Sequence, residues 1–151
     1  NSYFLKMLSS KNKEKIYLKC IESIRSTTEC NKLKFISNLL FRSFKNWIFC
    51  GFYYQENDSL LISEYSANKI PCSPIKFDGV CGTSILKNKI LNIEDVNNFQ
   101  GHIVCDNDSK SELCIPFDID GIKYVLDVDS NIYNAFCEID EKYLVKIIKE
   151  F

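Results

Sequence analysis

The sequence lacks most of the signals that assign a function at a glance. No two of its cysteines form a C-x-x-C pair, and there is one histidine, His102. Zinc-ribbon and thioredoxin patterns are therefore excluded, and a structural zinc site is not expected. No apolar run approaches the roughly 18–20 residues of a membrane-spanning helix. The opening "NSYFLKMLSS" has no apolar core of the kind a secretion signal needs. No charge of one sign dominates: the formal net charge is −1, which gives no electrostatic attraction for nucleic acid or an anionic membrane. Repeats, low-complexity tracts and linkers are absent as well.

What is present suits one folded domain over residues 1–151, with 1–11 expected to be a poorly ordered extension. A chain of this size buries about 68–70% of its unfolded surface, so it needs no staples. Hydrophobic residues make up 46%, enough for a sizeable core. Eight cysteines, at 20, 30, 50, 72, 81, 105, 114 and 137, are too sparse for a disulfide scaffold. Reduced thiols and a cytoplasmic setting are expected.

The patterning gives an order of elements. "KNKEKIYLKCIESIRS" and "NKLKFISNLLFRSFKNW" carry apolar residues at helical spacing. "WIFCGFYYQEN" and "SLLISEYS" read as strands joined by the turn "ENDS". "GVCGTSILKNK" reads as a helix opening from a glycine turn, and "ILNIEDV" as a short strand. "LCIPFDIDGIKYVLDVDS" is a hairpin around Asp120-Gly121. The tail "IDEKYLVKIIKEF" is an amphipathic helix. The expected class is α+β: an antiparallel sheet with N- and C-terminal helices on one face and a loop-covered pocket on the other.

Several residues have chemistry to offer. Cys81, in "DGVCGTS", stands where a helix begins. Free backbone N–H groups there favour a thiolate and would draw its pKa below the ordinary value of about 8.5. Packing beneath the helix is the alternative. Cys105 follows His102 by three positions and precedes Asp106. An imidazolium would favour its thiolate and the carboxylates would oppose it. Cys72 lies between prolines in "KIPCSPIKF", an irregular loop from which a thiol can reach a second one. Asp127 and Asp129 are two apart on a strand and so share one face. With Glu112 they would suit an ammonium-bearing ligand, or supply a proton to a departing oxygen. A solvent-facing acidic stripe is the alternative.

Taken together, "CGFYY", "GVCGTS", "NIEDV", "GHIVCDNDSKSE", "IPF" and "VLDVDS" resemble, in order and spacing, the free methionine-(R)-sulfoxide reductases, which have the GAF fold. The distinctive part is "GVCGT" followed by "GHIVCDNDSKSE", with Cys81 and Cys105 24 positions apart. The resemblance implies Cys105 as nucleophile, Cys72 as resolving thiol and Cys81 as an auxiliary thiol in the same pocket. It implies that Glu112, Asp127 and Asp129 hold the amine and sulfoxide oxygen of free methionine sulfoxide. Phe49 and Tyr53 would enclose the methyl end. A sulfenic acid on Cys105 would become a disulfide with Cys72, reopened by a thioredoxin-like reductant, with no metal or organic cofactor. Pairing of the outer helices in a homodimer is compatible with this. The rival class is a GAF sensor that binds a small molecule without reacting with it.

Two departures stand out. Cys72 and Cys81 are nine positions apart where the family has ten. Phe49 occupies the place of a family Trp and lacks its indole N–H. Trp47, two positions earlier, would serve instead only if the strand is bulged. Cys20, Cys30, Cys50, Cys114 and Cys137 fall outside the motifs and are expected to be packing residues.

Overall fold

The computed structural model describes residues 2–101 and 106–151, with side chains from residue 10 onward. His102 and Cys105 therefore lie outside the described residues. The elements run α1 (Ser2–Ser26), α2 (Lys32–Ser43), β1 (Trp47–Glu56), β2 (Ser59–Ala67), α3 (Val80–Lys87), β3 (Leu91–Ile93), a 3₁₀ turn (Val96–Asn98), β4 (Ser111–Ile119), β5 (Ile122–Ser130) and α4 (Glu138–Ile148). That is the order expected from the patterning. The strands form one antiparallel sheet in the order β2-β1-β5-β4-β3.

Local chemistry sets the boundaries. Asn31 caps α2, its side-chain oxygen accepting the Lys34 N–H at 3.1 Å. The β4–β5 hairpin turns at Asp120 and Gly121, both at positive φ (50° and 82°), the geometry of a type I′ turn. Glu138, Asp140 and Glu141 crowd the first turn of α4, where negative charge complements the helix dipole.

The sheet separates two cores. On one face α1, α2 and α4 bury Tyr17, Ile24, Leu40, Leu144 and Ile147 against Cys50, Phe52, Leu113, Leu126 and Val128. Buried Asp140 ties two of these helices together. It accepts from Tyr17 Oη at 2.6 Å and Lys13 Nζ at 2.7 Å, both on α1, and from its own Cys137 N–H at 2.8 Å. On the other face α3 and the segment before it cover a smaller core that includes Phe49, Tyr53, Val80, Cys81, Ile85 and Cys114.

Strand β1 feeds both cores, and its pairing is irregular twice, with β2 between Gly51 and Tyr53 and with β5 near its start. Its pairing with β5 shifts between Trp47 and Phe49. This bulge reverses the alternation, because one extra residue moves every later side chain to the other face. Trp47 turns to the helical side and stacks on Phe44, ring centroids 4.4 Å apart. Phe49 turns to the other side. The bulge is thus present, but it carries Trp47 away from the pocket face and does not let it replace the missing indole there.

No helix among the described residues is long and apolar enough to cross a membrane.

Candidate active site

The sheet face beneath α3 is built in rows across three strands. Phe49 of β1 pairs with Asp129 of β5, which pairs with Glu112 of β4. In the next row Gly51 pairs with Asp127, which pairs with Cys114. Side chains of period two on adjacent strands therefore place Glu112, Cys114, Asp127 and Asp129 side by side. Glu112 and Asp127 are buried and Asp129 is half-buried, so the acids are no solvent-facing stripe.

These residues form the floor of a cavity of about 70 Å³. That is several times the roughly 10–15 Å³ that one water occupies. Its wall is aromatic: Phe49 and Tyr53 lie with ring centroids 6.2 Å apart. Gly51 makes room for that wall. A Cβ there would stand 2.8 Å from Cζ of Phe49 and 2.7 Å from Cβ of Tyr65. The roof comes from the start of α3, the Lys69–Pro71 segment and the Asp106–Ser109 turn. Gly82 lets α3 sit close, since a Cβ there would lie 2.2 Å from the Phe77 backbone. Lys69 bridges the two loops, 3.2 Å from Asp106 and 3.6 Å from Asp108. These pairs are largely exposed and worth little in energy.

The segment holding Cys72 is irregular, as expected from its prolines, but it is tethered. Tyr53 Oη donates to the Cys72 carbonyl at 2.9 Å, the Ile62 N–H donates to Ser73 Oγ at 3.0 Å, and Ile75 bridges to Leu60. Cys72 is disulfide-bonded, while Cys20, Cys30, Cys50, Cys81, Cys114 and Cys137 are free thiols.

Electrostatics correct one expectation. Cys81 stands in the first turn of α3, yet its thiol is not made acidic. A hydrogen bond with Cys114 favours its thiolate, but burial together with Asp127 and Asp129 outweighs this and pushes the thiol up to about 12. Cys114 is raised as well, by burial first and then by its contacts with Cys81 and Asp127. Burial also lifts Glu112 and Asp129 well above the ordinary carboxyl range, and the neighbouring Asp127 adds to both. The free N–H groups at the helix start exist, but burial first, and then the neighbouring acids, defeat a partial helix charge.

Of the eight site residues expected from sequence, the cavity is lined by Phe49, Tyr53, Cys81, Glu112, Asp127 and Asp129. Cys72 lies on the adjoining loop, and Cys105 is outside the described residues, although its neighbour Asp106 lines the cavity. Two participants escaped the sequence reading. Lys69 carries no signal in its surroundings. Cys114 sits 3.6 Å from Cys81, Sγ to Sγ, and its place two residues after Glu112 on a strand was a usable sign. Among the five cysteines expected to pack, Cys30 is exposed, since it lies in the connection between α1 and α2.

No family model matches the chain. Known proteins do. The chain is 38% identical over 148 residues to GAF domain-containing protein A of Dictyostelium discoideum, covering 94% of each. It is 31% identical over 159 residues to the free methionine-R-sulfoxide reductase of Saccharomyces cerevisiae, covering 93% of this chain and 86% of the yeast protein. Among solved structures, the free methionine-R-sulfoxide reductase from Neisseria meningitidis in complex with its substrate superposes with a TM-score of 0.82 at 27% identity, over 94% of this chain and 87% of that one. With its pocket face, its helical face and these relatives, the chain belongs to the free methionine-R-sulfoxide reductase family and has the GAF fold.

Proposed function

We propose that this protein reduces free methionine (R)-sulfoxide to methionine with its own thiols. The observation that carries the reading is the convergence of three acids and an aromatic wall on one cavity beside a disulfide-bonded Cys72. Membership of the family gives the substrate class.

The roles follow from chemistry and position. The Cys105 thiolate attacks the sulfoxide sulfur, and a buried acid protonates the departing oxygen. Glu112 and Asp129 suit that step because burial raises both and so favours their protonated forms. Asp127 then faces the substrate ammonium. The substrate carboxylate is matched by the N–H groups of Val80, Cys81 and Gly82, which start α3 at the cavity edge. Phe49 and Tyr53 enclose the apolar end. The sulfoxide oxygen passes to Cys105 as a sulfenic acid and methionine leaves. Cys72 then displaces that oxygen as water and forms the disulfide. A thioredoxin-like dithiol reopens it by exchange and is itself oxidised. A roofed cavity that grips both the amine and the carboxylate has no exit for a peptide chain, which restricts the substrate to the free amino acid.

The test is reaction of the fully reduced protein with each diastereomer of free methionine sulfoxide, without reductant. Methionine should form from the R form, with two thiols lost for each molecule produced, and none should form in Cys105→Ser. A protein that binds the sulfoxide but loses no thiols is a sensor, and the proposal is then wrong. Unchanged thioredoxin-coupled turnover in Cys72→Ala would move the resolving role to Cys81.

A further inference from the structure

The cavity floor also gathers donor atoms in an arrangement that sulfoxide reduction does not require. Cys81 Sγ, Cys114 Sγ, a Glu112 carboxylate oxygen and an Asp127 carboxylate oxygen all lie within 4.8 Å of one another. The two sulfurs are 3.6 Å apart. Cys114 Sγ is 3.5 Å from Asp127 Oδ1 and 3.7 Å from Glu112 Oε2.

Those separations fit one kind of occupant. A tetrahedral Zn²⁺ takes sulfur at about 2.3 Å and carboxylate oxygen at about 2.0–2.2 Å, which sets edges of about 3.8 Å between sulfurs and about 3.6 Å between sulfur and oxygen. These three edges agree within about 0.2 Å, while the widest separations in the set, up to 4.8 Å, close by side-chain rotation when the ion binds. Ca²⁺ and Mg²⁺ want six or more oxygens, and two sulfurs exclude them. Two thiolates with two carboxylates form a borderline-soft set that suits zinc. The donors also sit on three different elements, α3, β4 and β5, so their geometry is fixed by the packed fold. Cys81, Glu112 and Asp127 line the cavity, which gives an ion a way in, and Cys114 closes the base.

We propose that the protein binds one Zn²⁺ at Cys81, Cys114, Glu112 and Asp127, and that the ion and the amino-acid ligand exclude each other. Binding displaces the two thiol protons and the Glu112 carboxyl proton to solvent and moves no electrons. Zinc then occupies Glu112 and Asp127, so it shuts the pocket reversibly. The site shares these two acids with the proposed reaction, but ion binding is read without sulfoxide, so either proposal can fail alone.

The experiment titrates Zn²⁺ alone into the full reduced chain against a chromophoric chelator. One ion per chain is expected, with an X-ray absorption shell of two sulfurs and two oxygens. Cys114→Val and Cys81→Val, which remove the thiolate and stay apolar, should each weaken binding at least roughly 100-fold, more than loss of an outer-sphere partner does. Cys30→Ser, at an exposed thiol, should not. Circular dichroism checks that each variant is folded. Should a variant unfold, the shell of the unaltered protein decides. Free methionine, the non-oxidising product, should lower zinc affinity in proportion to its concentration. Equal affinity in folded Cys114→Val, or a shell with three or more sulfurs or with imidazole nitrogen, overturns the site. Binding that methionine leaves unchanged overturns the exclusion.

Discussion

Glu112 and Asp129 face each other in the β4–β5 ladder, and each has its carboxyl raised well above the ordinary range, first by burial and then by the Asp127 charge beside them. Two acids packed against a third are a source of instability that a fold keeps only for use. Glu112→Gln retains the shape and removes one ionisable group from the cluster. Thermal unfolding should show a gain of about 0.5–2 kcal/mol at neutral pH. The same variant should lose roughly 10²–10⁴-fold in kcat, the range of a missing acid catalyst. A variant both destabilised and fully active would place Glu112 outside the reaction.

Proton linkage gives the sign of the pH dependence. Both carboxyls are raised in the folded state, so their contribution is fully present below the unfolded values, 4.5 for Glu112 and 3.8 for Asp129. It is lost as pH rises through the raised folded values. The reduced protein should therefore melt at a higher temperature near pH 5 than near pH 8, compared over roughly that window to stay clear of general acid unfolding. The slope should shrink in Glu112→Gln. An equal slope in both proteins would assign the effect to other groups.

Cys81 stands at a helix start and carries a thiol pushed up to about 12, so geometry and reactivity disagree there. Limited alkylation of the reduced chain at about pH 8, where a free thiol is partly ionised, separates them. Peptide mapping should find Cys30, which is exposed, modified early and Cys81 late. Asp127→Asn takes away the nearer carboxylate named among the causes of the shift and should speed alkylation of Cys81. Early labelling of Cys81 in the unaltered protein would restore the view that the helix start activates it.

Much of this was readable in the sequence because it rests on short-range rules. Asp120-Gly121 dictates its own turn, and Asp127 and Asp129 share a face because a strand has period two. What could not be read depends on register between strands. Glu112, two residues earlier, tells which face Cys114 takes, but not that β4 will set it against Asp127, or that α3, 33 positions away, will lower Cys81 onto it. The failure at Cys81 has the same origin. The helix start is local and visible, whereas the burial that overrides it comes from packing onto the sheet, and the acids that add to it arrive from β5, far along the chain.

Trp47 and Phe49 complete the argument, since one bulge sends two neighbouring aromatics to different tasks. Trp47 packs at 6% exposure among Phe44 and Phe136, with ring centroids at 4.4 and 5.9 Å. Trp47→Ala should cost about 3–5 kcal/mol of stability, the range for a large aromatic truncated in a core. Below its melting point it should keep its KM for free methionine sulfoxide. Phe49→Ala opens the cavity wall, and should raise KM by roughly 10–200-fold, the span for lost apolar contact in a specificity pocket. Phe49→Trp asks a finer question, because it restores an indole N–H where the bulge has denied one to Trp47. If Gly51 leaves space for the larger ring, KM should fall or hold; if it rises as in Phe49→Ala, the wall is sized for phenyl. A KM defect in Trp47→Ala equal to that in Phe49→Ala would mean that the two faces are coupled through the bulge, and the division of labour drawn from it would be lost.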